Sequence, residues 1–189
     1  VTSNDALIQG RIDASGTQSG GTVHIKSTTV DQYAAIDASS TSGQGGEVAI
    51  ETAAAYTATT AGDIDVSGAD GGSIAITGPG RIVTSAQLDA TGSNGNGGTI
   101  DVSSSTKTSM LGATFDASGS VDGGTIRVGG EFQGGRDLSI DELANSGQTL
   151  ISPGSQIIAT GESGNGGTAI VWSDDRTQFY GGVDVSGSG

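Results

Sequence analysis

The residues with the most chemistry to offer are five aspartates in near-identical settings: Asp13, Asp37, Asp65, Asp89 and Asp116. Each follows an apolar residue and precedes a small residue and then Ser or Thr, as in "IDAS" from Ile12 and "LDAT" from Leu88. Calcium takes several oxygen ligands, so a row of carboxylates is a candidate cation site and calcium a candidate cofactor. The same spacing also suits an Asx turn, in which the carboxylate accepts the backbone N–H two residues on. The Gly-Asp nonapeptide of calcium-binding rolls is absent, which favours capping.

Other chemistry is thinner. His24 is the one histidine and there is no cysteine, so a zinc site or a nucleophilic triad has no second partner. A solvent-facing position is the expectation for it. The paired carboxylates of glycosidases need a facing pair across a cleft, and among 21 acidic residues some pair always suggests itself. "GSNGNGG" (92–98) lacks the Lys-Ser/Thr ending and the following helix of a phosphate loop. Trp172, Phe179 and Tyr180 gather much of the aromatic content in "VWSDDRTQFYGG". They are candidate sugar-stacking residues; the plainer expectation is that they fill a core or cover its end. No catalytic residue emerges.

Composition narrows the classes. The 189 residues carry 21 acidic against 7 basic side chains, a net charge of −14. That balance speaks against a nucleic-acid partner and against docking on anionic lipid. No apolar run approaches the roughly 18–20 residues of a membrane span, so no membrane insertion is expected. Apolar residues make up 33% and glycine 35 positions, so an ordinary globular core would be thin. The chain opens at Val1 without a leader, which suggests a fragment or a processed product.

The elements that must hold these residues are legible as a repeat. The apolar–Asp–small–Ser/Thr unit begins at residues 12, 36, 64, 88, 115 and 183, with "IIAT" from Ile157 as a variant; the steps are 24, 28, 24, 27, 42 and 26 residues. A Gly-Gly pair leading into a strand follows each of the first six, from "GGTVHI" (20–25) to "GGTAIV" (166–171). Both units alternate with period two, the mark of a strand with one buried face. A weaker third strand is expected at "GRIVTS" (80–85) and "RTQFYG" (176–181).

One such repeat cannot bury its apolar face alone, but a stack can. The chain is therefore expected to be all-β: a parallel β-helix of about seven coils of 24–28 residues, one domain over 1–189, with an insertion at 129–156. Within the insertion, Ser139 and Glu142 stand at capping-box spacing, so a single helical turn is expected there. The glycines are expected at corners, where positive φ is often needed and a side chain would crowd the next coil. Stacking places Val23, Val48, Ile74, Ile100 and Ile126 in one interior column. It pairs Asp101 with Arg127 and lines Ser15, Ser39, Ser67, Thr91 and Ser118 into a hydroxyl ladder. The row Thr22, Glu47, Ser73, Thr99, Thr125, Thr168 lacks the Thr on every coil that a flat ice-binding face needs.

"ATFDASGSVDGGTIRVGGEFQGG" (113–135) and "GSQIIATGESGNGGTAIVWSDDRTQFYGGVDVSGSG" (154–189) resemble the repeat region of filamentous-haemagglutinin-like exoproteins, secreted bacterial adhesins of the two-partner type. The two blocks cover about a third of the chain; earlier repeats match more loosely by the same anchors. The resemblance implies a right-handed β-helix, export through an outer-membrane transporter and a structural or adhesive role at the cell surface. It brings no catalytic residues, and the family's N-terminal secretion module is not seen in this chain. The leading expectation is an extracellular shaft segment that meets a receptor or glycan on a host or neighbouring cell. Open coil ends also make end-to-end self-association a candidate. The rival expectation is a polysaccharide lyase or hydrolase, or a non-catalytic glycan-binding module, on the same fold. The seven basic residues are scattered and none is expected in a dense acidic-basic cluster, which counts against the enzyme.

Overall fold

The computed structural model describes residues 2–135 and 143–189. The chain winds as a right-handed parallel β-helix of about seven turns, with 2% helix. Each full turn presents three short strands. Strands of the first face include Thr22–Gln32, Glu47–Ala58, Ser73–Gly78, Thr99–Ser104, Thr125–Val128 and Thr168–Val171. In the two early coils these strands run on unbroken into the second face. Later coils break at the corner, and Arg81–Thr84, Lys107–Met110, Gln148–Ile151 and Arg176–Phe179 carry the second face. The third face holds the Asp-bearing strands, from Ile12–Asp13 to Gly182–Asp184.

The expected interior column is present. Val23 pairs with Val48, Val48 with Ile74, Ile74 with Ile100 and Ile100 with Ile126; Ala169 continues the row. Every ladder is parallel, so each coil lies in register on the last. Val48, Ile100 and Ile126 are fully buried. The alternation that gives a strand one inward face thus builds a dry spine, and the adjacent coil supplies the burial that one repeat lacks. The third face adds Ile36, Ile64, Leu88, Phe115 and Ile157 to the same core.

Two expectations change. The corner Gly-Gly pairs are not in the left-handed region; positive φ is confined to Gly112, Gly129, Gly130, Gly134, Gly135 and Gly154 among the glycines described. Their requirement is close approach. A Cβ at Gly97 would lie 1.8 Å from the carbonyl oxygen of Ala117 on the next coil. The extra chain of the long step is also narrower than 129–156, because Gln148–Ile151 and Gln156–Ile158 already lie in the two sheets. The helical turn expected around Ser139 and Glu142 falls outside the described residues.

Candidate functional site

The acidic row forms as a column. Asp13, Asp37, Asp65, Asp89 and Asp116 face one another on successive coils, Ile158 interrupts, and Asp184 resumes. Each carboxylate is committed to its own corner. Oδ1 accepts the backbone N–H two residues on, at 3.1 Å for Asp13, 2.9 Å for Asp37, 2.8 Å for Asp65, 2.9 Å for Asp89 and 2.9 Å for Asp116. Asp184 repeats the bond to Ser186 at 3.0 Å. These are the Asx caps. Among the described residues, no group of three or more His, Asp or Glu side chains is arranged to hold a metal ion.

The hydroxyl ladder is corrected by the same geometry. The hydroxyls of Ser15, Ser39 and Ser67 turn back to Asp13, Asp37 and Asp65 at 2.7, 2.7 and 2.6 Å instead of bridging coils. A carboxylate two residues back is a stronger acceptor than a neighbouring hydroxyl. At Ser118 a bond does cross the stack, where Thr160 donates to it at 3.0 Å.

Environment separates otherwise identical aspartates. Hydrogen bonds from Ser15, helped by Arg11, hold Asp13 below the usual carboxylate range. At Asp37 burial pushes upward, but hydrogen bonds from Ser39 and Arg11 outweigh it and the pKa falls. At Asp89 burial dominates, the Thr91 bonds oppose it, and the charges of Asp65 and Asp116 add to the rise. Like charges at one coil spacing are tolerated where a cation or a cap compensates, and least well in mid-column.

The expected Asp101–Arg127 pair is present and is more than a surface contact. Arg127 donates from Nε at 2.6 Å and from Nη2 at 2.5 Å to the two oxygens of Asp101, and from Nη1 to Glu131. Glu131, buried to 6% exposure, also accepts the N–H of Phe132 at 2.9 Å. It stands where the extra chain leaves the sheet, between positive-φ turns at Gly129 and Gly130 before it and Gln133 after it. Asn145 fastens the return, accepting from the N–H of Glu131 at 3.3 Å and donating to the carbonyl of Gly134 at 3.2 Å.

Trp172 lies against this strap. A Cβ at Gly130 would come within 3.0 Å of its ring, and its Nε1–H donates to Asp174 at 3.0 Å. Phe179 stands elsewhere, in the inward row after Ile151, and is 40% exposed. Tyr180 is exposed and its hydroxyl accepts from Gln178 at 3.2 Å. Packing against the strap and continuation of an inward row account for Trp172 and Phe179. His24 is exposed, with Nε2 3.3 Å from Glu47.

Two features lie outside the residues singled out from the sequence. A groove of about 590 Å³ runs across four coils at the Gly-Gly corner, with Gln44, Asp70 and Asn96 on one wall and Glu47, Ser73 and Thr99 on the other. The carboxylate of Asp70 is tied into that wall, accepting the N–H of Asn96 at 3.0 Å. The basic residues are also not scattered in space: Arg81, Lys107 and Arg176 share one outward column of the second face.

Comparison with known protein families, with curated proteins and with solved structures finds no match to this chain. Among the described residues no helix is long and apolar enough to cross a membrane.

Proposed function

We propose that the chain is a segment of a stiff, acidic, non-catalytic shaft in a secreted bacterial surface protein, with an adhesive role along its flank. The observation that carries this reading is the unbroken stack: interior columns run coil after coil, and the most regular polar row, the aspartates, is spent on capping corners. A residue set committed to corner hydrogen bonds contributes to the fold and has little left for turnover. The resemblance of residues 113–135 and 154–189 to filamentous-haemagglutinin-like repeats supports export and surface display.

Two measurements test the reading. Antibody raised against the chain should label intact producing cells, and labelling only after lysis overturns surface display. No product should form from pectin-like or other acidic glycans, and steady product formation overturns the non-catalytic role.

The rival, a polysaccharide lyase or hydrolase, draws its support from the corner groove, where Glu47 and Asp70 stand on opposite walls. Glu47→Gln and Asp70→Asn variants would abolish any turnover that such a site supplied.

A further inference from the structure

Six of the seven basic residues lie among those described, and they divide in two. Arg11 pairs with Asp13 and Asp37, Lys26 with Glu51, and Arg127 with Asp101 and Glu131. Arg81, Lys107 and Arg176 make no ion pair among the described residues, and these three stand in a single column. Arg81 is directly opposite Lys107; Gln148 separates Lys107 from Arg176. Ile82 and Thr108, next to Arg81 and Lys107, are buried in the core, so those two cations point out, and Arg176 continues the same outward row and is itself exposed.

This arrangement is not one that folding favours. Like charges directly opposite on adjacent strands destabilise a sheet. A chain with 21 acidic residues has ample carboxylate to neutralise three cations. Along the column the nearest carboxylate is Asp5, beyond Ala55 and Thr29 and three coils from Arg81. Asp174 and Asp175 lie beside Arg176 in sequence, Asp174 engaged by Trp172. The second face therefore carries a basic ridge on an acidic rod.

We infer that this ridge binds a linear polysaccharide bearing isolated carboxylates, laid along the rod axis across the coils. The cations recur at about 4.8 Å between Arg81 and Lys107 and about twice that between Lys107 and Arg176. That is a single-file row suited to a thin chain. Arg offers a planar fork to a carboxylate and Lys a point charge. The outward row beside them holds Val83 and Leu150, half-buried apolar surface for the faces of sugar rings, and Gln178 as a hydrogen-bonding end. Charge complementarity selects the occupant. A densely charged polyanion such as DNA extends beyond three cations and meets the −14 chain around them. A glycan with sparse charges does not. The inference rests on the shaft reading only in taking the flank of the rod as its working surface.

The test is calorimetric titration of the whole chain with hyaluronan, a linear glycan with a carboxylate on every second sugar, at low salt, beside neutral dextran and dextran sulfate. Hyaluronan should bind, and the binding should weaken as salt rises. The triple variant Arg81→Gln, Lys107→Gln, Arg176→Gln should lose at least about tenfold in affinity. Lys26→Gln, which removes a cation outside the column, should bind as the parent does. Unchanged melting of each variant shows that the fold survives. The inference is overturned by no hyaluronan binding, by an equal loss in Lys26→Gln, by an unaffected triple variant, or by binding of dextran sulfate alone. Product release in the same titration would instead overturn the non-catalytic shaft and leave the ridge standing.

Discussion

Arg127 grips Asp101 on the preceding coil through two nitrogens, at 2.6 and 2.5 Å, while its third reaches Glu131 four residues on. One guanidinium thus ties two coils together and anchors the start of the extra chain. The side chains are 19%, 15% and 8% exposed for Arg127, Asp101 and Glu131, so solvent screens the group only partly. Arg127→Met should cost about 2–3 kcal/mol, because it strands a nearly buried Glu131 beside Asp101. Adding Glu131→Gln and Asp101→Asn should recover much of that loss. Urea denaturation of the single and triple variants measures both; an unaffected single variant would mean that the group is adequately hydrated.

The aspartate column gives a pair of opposite predictions. Asp89 has its pKa raised by burial, so above that pKa its charge costs stability, and the cost is relieved as pH falls through it. Asp89→Asn keeps an oxygen for the Thr91 N–H and removes repulsion from Asp65 and Asp116. It should gain up to about 1 kcal/mol at pH 7, a gain that disappears below the ordinary value of 3.8. Asp37 has its pKa lowered, so its contribution is full above 3.8 and is lost as pH falls through the lower folded value. Asp37→Asn should therefore destabilise at pH 7 and match the parent at the acid end. Melting profiles from pH 2 to 7 read both, and the same sign for the two variants would refute the distinction.

Much of this architecture was legible because both anchors fall on the faces where register is strictest. Ile36, Ile64 and Leu88 occupy identical sites, and the aspartate after each repeats the same cap. The second face has no such motif. Arg81, Lys107 and Arg176 nevertheless each stand 10 residues after the first glycine of a Gly-Gly pair, Gly71, Gly97 and Gly166, so the spacing aligns them; ladder pairing adds Gln148 of the long step between the last two. Glu131 was invisible, since it lies in the one irregular step and is read most simply as a solvated acid. The corner groove was hidden for a different reason: glycines mark a turn in the sequence, and the hollow they leave between Asp70 and Glu47 exists only once coils stack.

The corner glycines are predicted to be irreplaceable for contact and not for torsion. Gly97→Ala would drive its methyl into the Ala117 carbonyl and should cost about 2–4 kcal/mol. At Gly10 an added methyl would meet nothing within 4 Å, so Gly10→Ala should leave stability close to that of the parent. Equal melting temperatures for the two variants would contradict the close-packed corner.

Tyr56 is fully buried, and its hydroxyl donates to Gln32 at 2.8 Å. Gln32 in turn donates to the Gly62 carbonyl at 2.9 Å, so the pair fastens the end of one coil to the corner of the next. Burial raises the Tyr56 pKa well above 10.0, so the phenol stays protonated through any ordinary pH. Tyr56→Phe leaves the Gln32 oxygen without its donor and should cost about 1–2 kcal/mol. Thr52, one coil from Ser27, presents the reverse case. Its hydroxyl is buried and has no hydrogen-bond partner among the described residues. Thr52→Val removes a desolvated oxygen at nearly constant volume and should stabilise by about 1 kcal/mol. The control is Thr108→Val, which breaks the bonds of Thr108 to the Ser104 N–H at 3.1 Å and to Ser146 at 2.8 Å. That variant should lose about 1–2 kcal/mol. Denaturant midpoints of opposite sign for the two Thr→Val changes are expected, and a loss at Thr52 equal to that at Thr108 would mean that its hydroxyl is hydrogen-bonded in solution.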